Sequence, residues 1–220
     1  MPRLILELLD VVQLGRPTLE NLDPRETAAE ILKYRQGKPP TYNPAFNLIS
    51  VILSGLARKE AILAALDQER PIWWRPHLKE VGGLLFDWFS QKPVKWYGVG
   101  RKPIETFEGI WMKPAIRGVV VNKGSAYPLL VNPRSSFCLS PVGASFLGRG
   151  VIEFHVRDDP AAVCPIILDL GRPPGTLRAK KGSQGQRPPR RFMTFEIDEE
   201  RCMPLVHFEE ILRRLTEAIQ

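Results

Sequence analysis

Apolar residues recur at helical spacing over residues 1–92. After an Asn-Pro start signal, Phe46, Ile49 and Leu53 follow three or four positions apart, which places them on one face of a helix. Similar patterns, with prolines near the starts and glycines near the ends, predict a series of short helices. The predicted helices cover about residues 24–36, 43–57, 58–68 and 76–89. This part of the chain is therefore predicted to be helical.

The pattern changes from about Lys92. Short runs of β-branched and aromatic residues, separated by turn signals about ten residues apart, replace the helical spacing. The predicted strands are Lys95–Val99, Gly109–Met112, Arg117–Asn122, Tyr127–Val131, Ser136–Leu139, Val151–Val156, Pro165–Leu170 and Phe192–Ile197. An apolar stripe after Pro204 predicts a C-terminal helix over residues 204–219. The chain is thus predicted as an α+β protein, with a helical N-terminal region and a mainly antiparallel β-rich domain (residues 93–220) that forms an open sheet or a partial barrel.

The positive charge is concentrated in one segment. The chain has 31 Lys and Arg residues against 24 Asp and Glu residues, a net charge of +7. Residues 171–191, called the basic segment below, contain seven of these cations and no acid, so the remaining 24 cations are balanced by 24 acids. The seven cations are Arg172, Arg178, Lys180, Lys181, Arg187, Arg190 and Arg191. The excess charge is therefore a local feature and not a property of the whole surface.

The basic segment is predicted to be a mobile hairpin loop between the last two strands. Its Gly, Pro, Ser and Gln residues leave almost nothing apolar to bury. Lys and Arg side chains that contact phosphates release counterions, which favours an accessory or binding protein that contacts DNA or RNA. Two other interpretations stay open: an assembly subunit that docks on an acidic protein partner, and a loop that only keeps the protein in solution.

A second hypothesis is an enzyme, a metal-assisted hydrolase or nuclease. Alternation along a strand at 151–156 would place Glu153 and His155 on one face, and Asp169 could join them from the next strand. Two carboxylates and an imidazole can hold a divalent metal or transfer protons. The simpler interpretation is the solvated face of a one-sided sheet. No other cofactor is predicted, and the sequence leaves open whether the protein is an enzyme.

A weaker candidate for anion binding lies in the stretch 132–150, which includes the predicted strand Ser136–Leu139. It is dense in serine and glycine, and its guanidinium and hydroxyl groups could surround a phosphate. The residues proposed for this site are Arg134, Ser135, Ser136 and Arg149. Serines that simply form turns are the alternative interpretation.

The remaining signals concern the compartment. Three cysteines, an odd number with no zinc-ligand spacing, predict reduced thiols and neither a disulfide framework nor a metal site. The most apolar internal stretch, Pro44 to Ala57, is interrupted by polar residues and is shorter than the roughly 20 residues that a membrane span needs. Acidic residues interrupt the apolar run near the N-terminus, which does not resemble a signal peptide. The sequence therefore predicts a cytoplasmic protein without a membrane partner.

Overall fold

A computed structural model describes residues 4–14, 23–36, 43–68, 72–91, 95–97, 104–107, 110–113, 116–134, 137–156, 163–172 and 189–219. The α-helices are α1 Leu8–Leu14, α2 Pro24–Gln36, α3 Asn43–Leu53, α4 Lys59–Leu66, α5 Arg75–Ser90, α6 Pro141–Val151 and α7 Leu205–Ile219. The strands are β1 Leu4–Glu7, β2 Lys95–Tyr97, β3 Ile104–Phe107, β4 Ile110–Lys113, β5 Ile116–Asn122, β6 Ser125–Asn132, β7 Ile166–Asp169 and β8 Met193–Glu196. These elements confirm the predicted α+β class and the C-terminal helix.

The central feature is an open five-stranded sheet with the order β2-β5-β6-β7-β8. All neighbours are antiparallel except β6 and β7, which run parallel and are joined through α6. Because β7 and β8 are antiparallel, the basic segment connects neighbouring strands, as predicted. A smaller sheet has the order β1-β4-β3, with β1 parallel to β4. The sheet that positions the basic segment is therefore mixed and mostly antiparallel.

Helices cover both faces of the five-stranded sheet. Leu130 and Ile167 face a core formed with α1, α6 and α7, in which the tilted rings of Phe146 and Phe208 pack with centroids 4.9 Å apart. Alternate residues of the same strands, such as Leu129, face a second core formed with α3, α4 and α5. Side chains of a strand point alternately to the two faces, so a strand buried on both sides becomes a continuous apolar run. This explains the apolar central strands.

The N-terminal residues join the β-rich part directly. Strand β1 pairs in parallel with β4, in the register Leu4 to Ile110 through Glu7 to Lys113. Helix α2 packs against α7. Helix α2 also begins where the sequence predicts, since the Asp23 carboxylate accepts hydrogen bonds from the N–H groups of Arg25 and Glu26 at 2.8 and 3.1 Å. The two predicted regions therefore share a strand pair and a helix pair.

Two predicted strands are wrong. Residues 151–156 continue α6, which ends at Val151 and is followed by a π-helical turn over Ile152–Val156. The β-branched and aromatic residues of this stretch fill the core around α6, and tertiary packing overrides their strand propensity. Residues 137–140 are irregular, because they lead into the helix that Ser140 caps by accepting the N–H of Gly143 at 3.0 Å. Strands β1 and β3 were not predicted.

Candidate functional site

Parallel strands β6 and β7 end side by side, with Asn132 in register with Asp169. We call this end of the two strands the carboxyl edge. The basic segment leaves the sheet here at Gly171 and returns at Arg191, whose N–H donates to the Gly171 carbonyl at 2.9 Å. The carboxyl ends of parallel strands are a common place for ligand sites, because loops from different elements converge there. The carboxyl edge is therefore the candidate functional site.

Asp169 organises the backbone of the carboxyl edge. Its fully buried carboxylate accepts hydrogen bonds from Asn132 Nδ2 at 2.7 Å, from the N–H of Leu139 at 2.8 Å and from the N–H of Gly171 at 3.0 Å. Burial raises the pKa of this carboxyl group, while the three N–H donors oppose that shift. The carboxylate thus ties the loop before α6 to the first residue of the basic segment.

The two ends of the basic segment meet at one acidic side chain, Glu80 of α5. Its carboxylate pairs with Arg172 Nη2 and accepts hydrogen bonds from the backbone N–H and Nε of Arg190 at 2.9 and 3.2 Å. The Arg190 side chain is fully buried and that of Arg172 is 11% exposed. We call Glu80, Arg172 and Arg190 the Glu80 cluster. Two of the seven predicted contact residues are therefore buried in an internal ion-pair network.

Arg190 also joins other elements. Its Nη1 donates to the carbonyl groups of Pro133 at 3.0 Å, Arg134 at 3.4 Å and Leu170, and its Nη2 contacts His77 Nδ1. A guanidinium group has no acceptor, so Nδ1 of His77 accepts and the neutral ring carries its proton on Nε2. Burial, followed by the charges of Arg190 and Arg172, lowers the pKa of His77 from 6.5 to about 3. His77 is thus neutral at physiological pH.

Arg134, one of the predicted anion-binding residues, pairs with α1. Its Nη2 lies 2.6 Å from Asp10 Oδ1 and 3.7 Å from Glu7 Oε2, and its Nη1 also contacts Gln13. Arg134 is only 3% exposed. Its charge is already balanced inside the protein, where it joins α1 to the loop that follows β6. The two serines of the same candidate, Ser135 and Ser136, lie outside the described residues.

Arg149, the other predicted anion-binding arginine, is held at the end of α6. Its Nη1 pairs with Glu153 Oε1 at 3.0 Å, and its Nε donates to the Met203 carbonyl at 2.6 Å. Arg149 is 6% exposed, and a second acid, Glu199, lies 3.8 Å from it. The hydrogen bond to Met203 holds the turn before α7 against α6. Arg134 and Arg149 are therefore neutralised by carboxylates on different elements.

The three metal candidates occupy different kinds of structure. Glu153 pairs with Arg149, Asp169 accepts hydrogen bonds from the carboxyl edge, and His155 lies in the π-helical turn, where its side chain is outside the description. The strand that would place Glu153 and His155 on one face is absent. Within the described parts of the chain, no group of three His, Cys, Asp or Glu side chains could hold a metal ion.

Among the remaining cations of the basic segment, Arg191 is exposed at the carboxyl edge. Arg178, Lys180, Lys181 and Arg187 lie outside the described residues. Nearby Cys138 has its pKa raised to about 11, by burial and then by the negative charge of Asp169. Its thiol is therefore protonated at neutral pH and is a weak nucleophile. Cys138, Cys164 and Cys202 are all free thiols, as the sequence predicts.

Sequence reasoning missed Glu80 and His77, which organise this site. A signal was present, since a segment with seven cations and no acid has arginines next to both flanking strands. An arginine buried at a strand end needs a carboxylate, and that carboxylate had to come from elsewhere in the chain. Nothing in the sequence indicates which of the 24 acids supplies it.

Comparison with known proteins finds no matching family model, no matching curated protein and no matching solved structure. Within the described residues, none of the helices combines the length and apolar character needed to cross a membrane.

Proposed function

We propose that the protein binds nucleic acid through the basic segment, as an accessory or binding protein. The observation that carries the proposal is the contrast among the three cations of the segment that the structure describes: Arg172 and Arg190 are buried in ion pairs, whereas Arg191 is exposed. Arg172 and Arg190 are buried against Glu80 where the segment joins the sheet, and we assign the phosphate contacts to the other five cations. These five are Arg178, Lys180, Lys181, Arg187 and Arg191. They account for most of the net charge of +7.

The physical basis is counterion release. Each Lys or Arg that contacts a phosphate releases condensed cations, which makes binding strongly salt-dependent. Five contacts to duplex DNA correspond to a slope of about −4 to −5 in a plot of log K against log salt concentration. The rest of the chain has as many cations as acids, so it adds little to this slope.

The composition of the segment also suggests which part of the nucleic acid it contacts. Residues 171–191 contain no aromatic side chain on which a base could stack. Contacts made by Lys and Arg with phosphates position a protein without reading the sequence. We therefore propose backbone recognition with little sequence preference, and direct comparison of duplex DNA with single-stranded RNA identifies the preferred form.

The test neutralises four cations of the segment together, as R178Q, K180Q, K181Q and R187Q. A control protein carries the same number of changes on other surfaces: K33Q, K123Q, R201Q and R214Q. Both proteins have the same net charge, and binding of labelled DNA and RNA is measured by fluorescence anisotropy. Loss of binding in the first protein and retention in the control are expected. An equal decrease in both would show that general charge, and not the basic segment, attracts the nucleic acid.

Two further measurements test an acidic protein partner and a metal-assisted hydrolase. If polyglutamate binds to the wild-type protein and nucleic acid does not, the segment docks on an acidic protein surface. The metal-assisted hydrolase would instead show a rise in Tm with divalent metal that E153Q and H155A abolish. The geometry gives this alternative less support, since residues 151–156 are helical and Glu153 pairs with Arg149.

A further inference from the structure

We propose that Glu80 is a positioning residue for nucleic-acid binding, because it fixes both ends of the basic segment at the carboxyl edge. This inference rests on the function proposed above and names the residue that prepares the segment for its ligand. Glu80 lies on α5, far from the segment in the sequence, and is no part of the predicted contact surface.

The geometry of the Glu80 cluster carries the inference. One carboxylate receives donors from each end of the segment: Arg172 Nη2 from the first end, and the N–H and Nε of Arg190 from the second. The hydrogen bond from the Arg191 N–H to the Gly171 carbonyl joins the two ends of the segment one residue further along. The two ends are therefore held against each other and against a helix by charge-assisted hydrogen bonds, which are stronger than neutral ones.

The two ends of the basic segment are also fixed relative to the sheet. Arg190 donates to the carbonyl groups of Pro133, Arg134 and Leu170, and Asp169 accepts the N–H of Gly171. Four parts of the chain thus meet where the segment joins the sheet: α5, the loop after β6, the end of β7 and the start of β8. Exposed Arg191 directly follows Arg190, so the cluster determines where this cation is presented.

Such anchoring favours binding because it lowers the conformational entropy that is lost when the complex forms. A chain segment that must be ordered on binding loses conformational entropy, and a segment with fixed ends has less to lose. Glu80 therefore acts in two opposite ways on a nucleic acid. Its negative charge repels phosphates, whereas its hydrogen bonds hold Arg172 and Arg190 in place. We expect the positioning effect to outweigh the repulsion, so the loss of the Glu80 carboxylate should weaken nucleic-acid binding.

The variant E80Q removes the charge and places an amide N–H group against donors that need an acceptor. Its matched control is D87N, on the same helix, where the exposed Asp87 pairs with Lys59 outside the cluster. Both changes raise the net charge by the same amount. Simple electrostatics predicts that each variant binds a labelled duplex as tightly as wild type or more tightly. Positioning predicts that E80Q binds about three- to tenfold more weakly and that D87N does not.

A second measurement reports on the anchor itself. In E80Q, the amide hydrogens of Arg190 and Arg191 should exchange with solvent at least about tenfold faster, since a charge-assisted hydrogen bond is lost. The amide of Leu168 in the sheet should be unchanged if the fold is intact. If E80Q does not fold, the variant R172M is used instead, because it removes only the ion pair between Arg172 and Glu80. Its control is R201M, which changes an exposed arginine outside the cluster. R172M should then bind more weakly than R201M.

The outcomes separate the two proposals. Absence of nucleic-acid binding by the wild-type protein overturns both. Binding by wild type, with equal affinities for E80Q and D87N in the folded state, overturns the role of Glu80 and leaves the function standing. Weaker binding by E80Q together with an unchanged salt slope supports positioning, because the same phosphates are contacted at a higher ordering cost. A smaller slope would show that contacts were lost, which contradicts a role in positioning alone.

Discussion

At the residue scale, the adjacent arginines Arg190 and Arg191 have the same side chain but opposite environments. Arg190 is fully buried among Glu80, His77 and backbone carbonyl groups, whereas Arg191 is exposed. Charge counting along the sequence treats them alike, so the sequence correctly predicts a basic segment but not which of its cations are available. That distinction depends on Glu80, which is brought close only by the packing of α5 on the sheet.

Substitution of each arginine by methionine should therefore give opposite results. R190M leaves backbone carbonyls and part of Glu80 without a donor, and we expect a loss of about 3 kcal/mol in the free energy of unfolding. R191M should change stability by less than about 0.5 kcal/mol and reduce the salt slope of DNA binding by about 0.9. Urea denaturation and anisotropy titrations measure these effects. Similar stability losses in both variants would contradict the assignment.

His77 gives the stability a pH dependence. Its pKa is about 3 in the native protein and 6.5 ordinarily, so below pH 6.5 the unfolded chain binds a proton that the native protein does not. Stability is fully present above pH 6.5 and falls as the pH drops towards 3, by up to about 1.4 kcal/mol per pH unit. The raised pKa of Asp169 acts in the opposite direction, because stability from that group is lost as pH rises through its native pKa.

The variant H77N isolates the contribution of His77. Its Oδ1 can accept from Arg190 in place of Nδ1, and asparagine does not titrate. Between pH 7 and pH 5 the wild-type protein should lose about 1–2 kcal/mol more stability than H77N, as measured by urea denaturation at each pH. Asp169 is present in both proteins and does not affect this difference. Parallel pH profiles would show that His77 is not buried in its neutral form.

At the element scale, the sequence predicts most of the five-stranded sheet, and the errors have one cause. Strands β5, β7 and β8 lie within one residue of their predicted ends, and β6 within two, because their apolar runs are bounded by turn signals. Residues 151–156 also look like a strand, yet they continue the crossover helix between β6 and β7. A parallel pair needs such a crossover, but the sequence alone does not show which strands are parallel.

The carboxyl edge also depends on close packing between two loops. A Cβ atom at Gly171 would lie 1.9 Å from the carbonyl oxygen of Phe137 and 2.8 Å from Cα of Cys138, and backbone cannot easily move away. G171A should therefore destabilise the protein by more than about 2 kcal/mol. At Gly83 in α5, no atom lies within 4 Å of an added Cβ.

G83A is the natural control for this prediction. It should stabilise the protein by up to about 1 kcal/mol through helix propensity alone. Thermal and urea denaturation of the two variants measure the expected loss of stability in G171A and the expected gain in G83A. Destabilisation by G83A, or tolerance of G171A, would contradict the packing described for α5 or for the carboxyl edge.

At the scale of the whole molecule, a charge-balanced body holds a strongly basic segment at one sheet edge. Buried ion pairs connect this edge to the N-terminal helices: Asp10 of α1 with Arg134, and Glu80 of α5 with Arg172 and Arg190. The local charge excess could be predicted by counting residues. The buried pairs could not, because each joins positions that are far apart in the sequence. The body should therefore fold without the middle of the segment.

Replacement of residues 173–189 by Asn-Gly tests the central claim most directly. Asp169 lies opposite Met193, and the Arg191 N–H bond to Gly171 extends this register, so a two-residue turn can join Arg172 to Arg190. The Glu80 cluster is kept, and four of the seven cations are removed. The decisive measurement is the salt dependence of DNA and RNA binding by this protein and by wild type, with unfolding followed in parallel.

We expect an unchanged unfolding transition and a change in the salt slope from about −4.5 to about −1, with binding nearly lost at about 200 mM salt. Wild-type affinity and slope in the shortened protein would contradict the account, because the phosphate contacts would then lie elsewhere on the molecule.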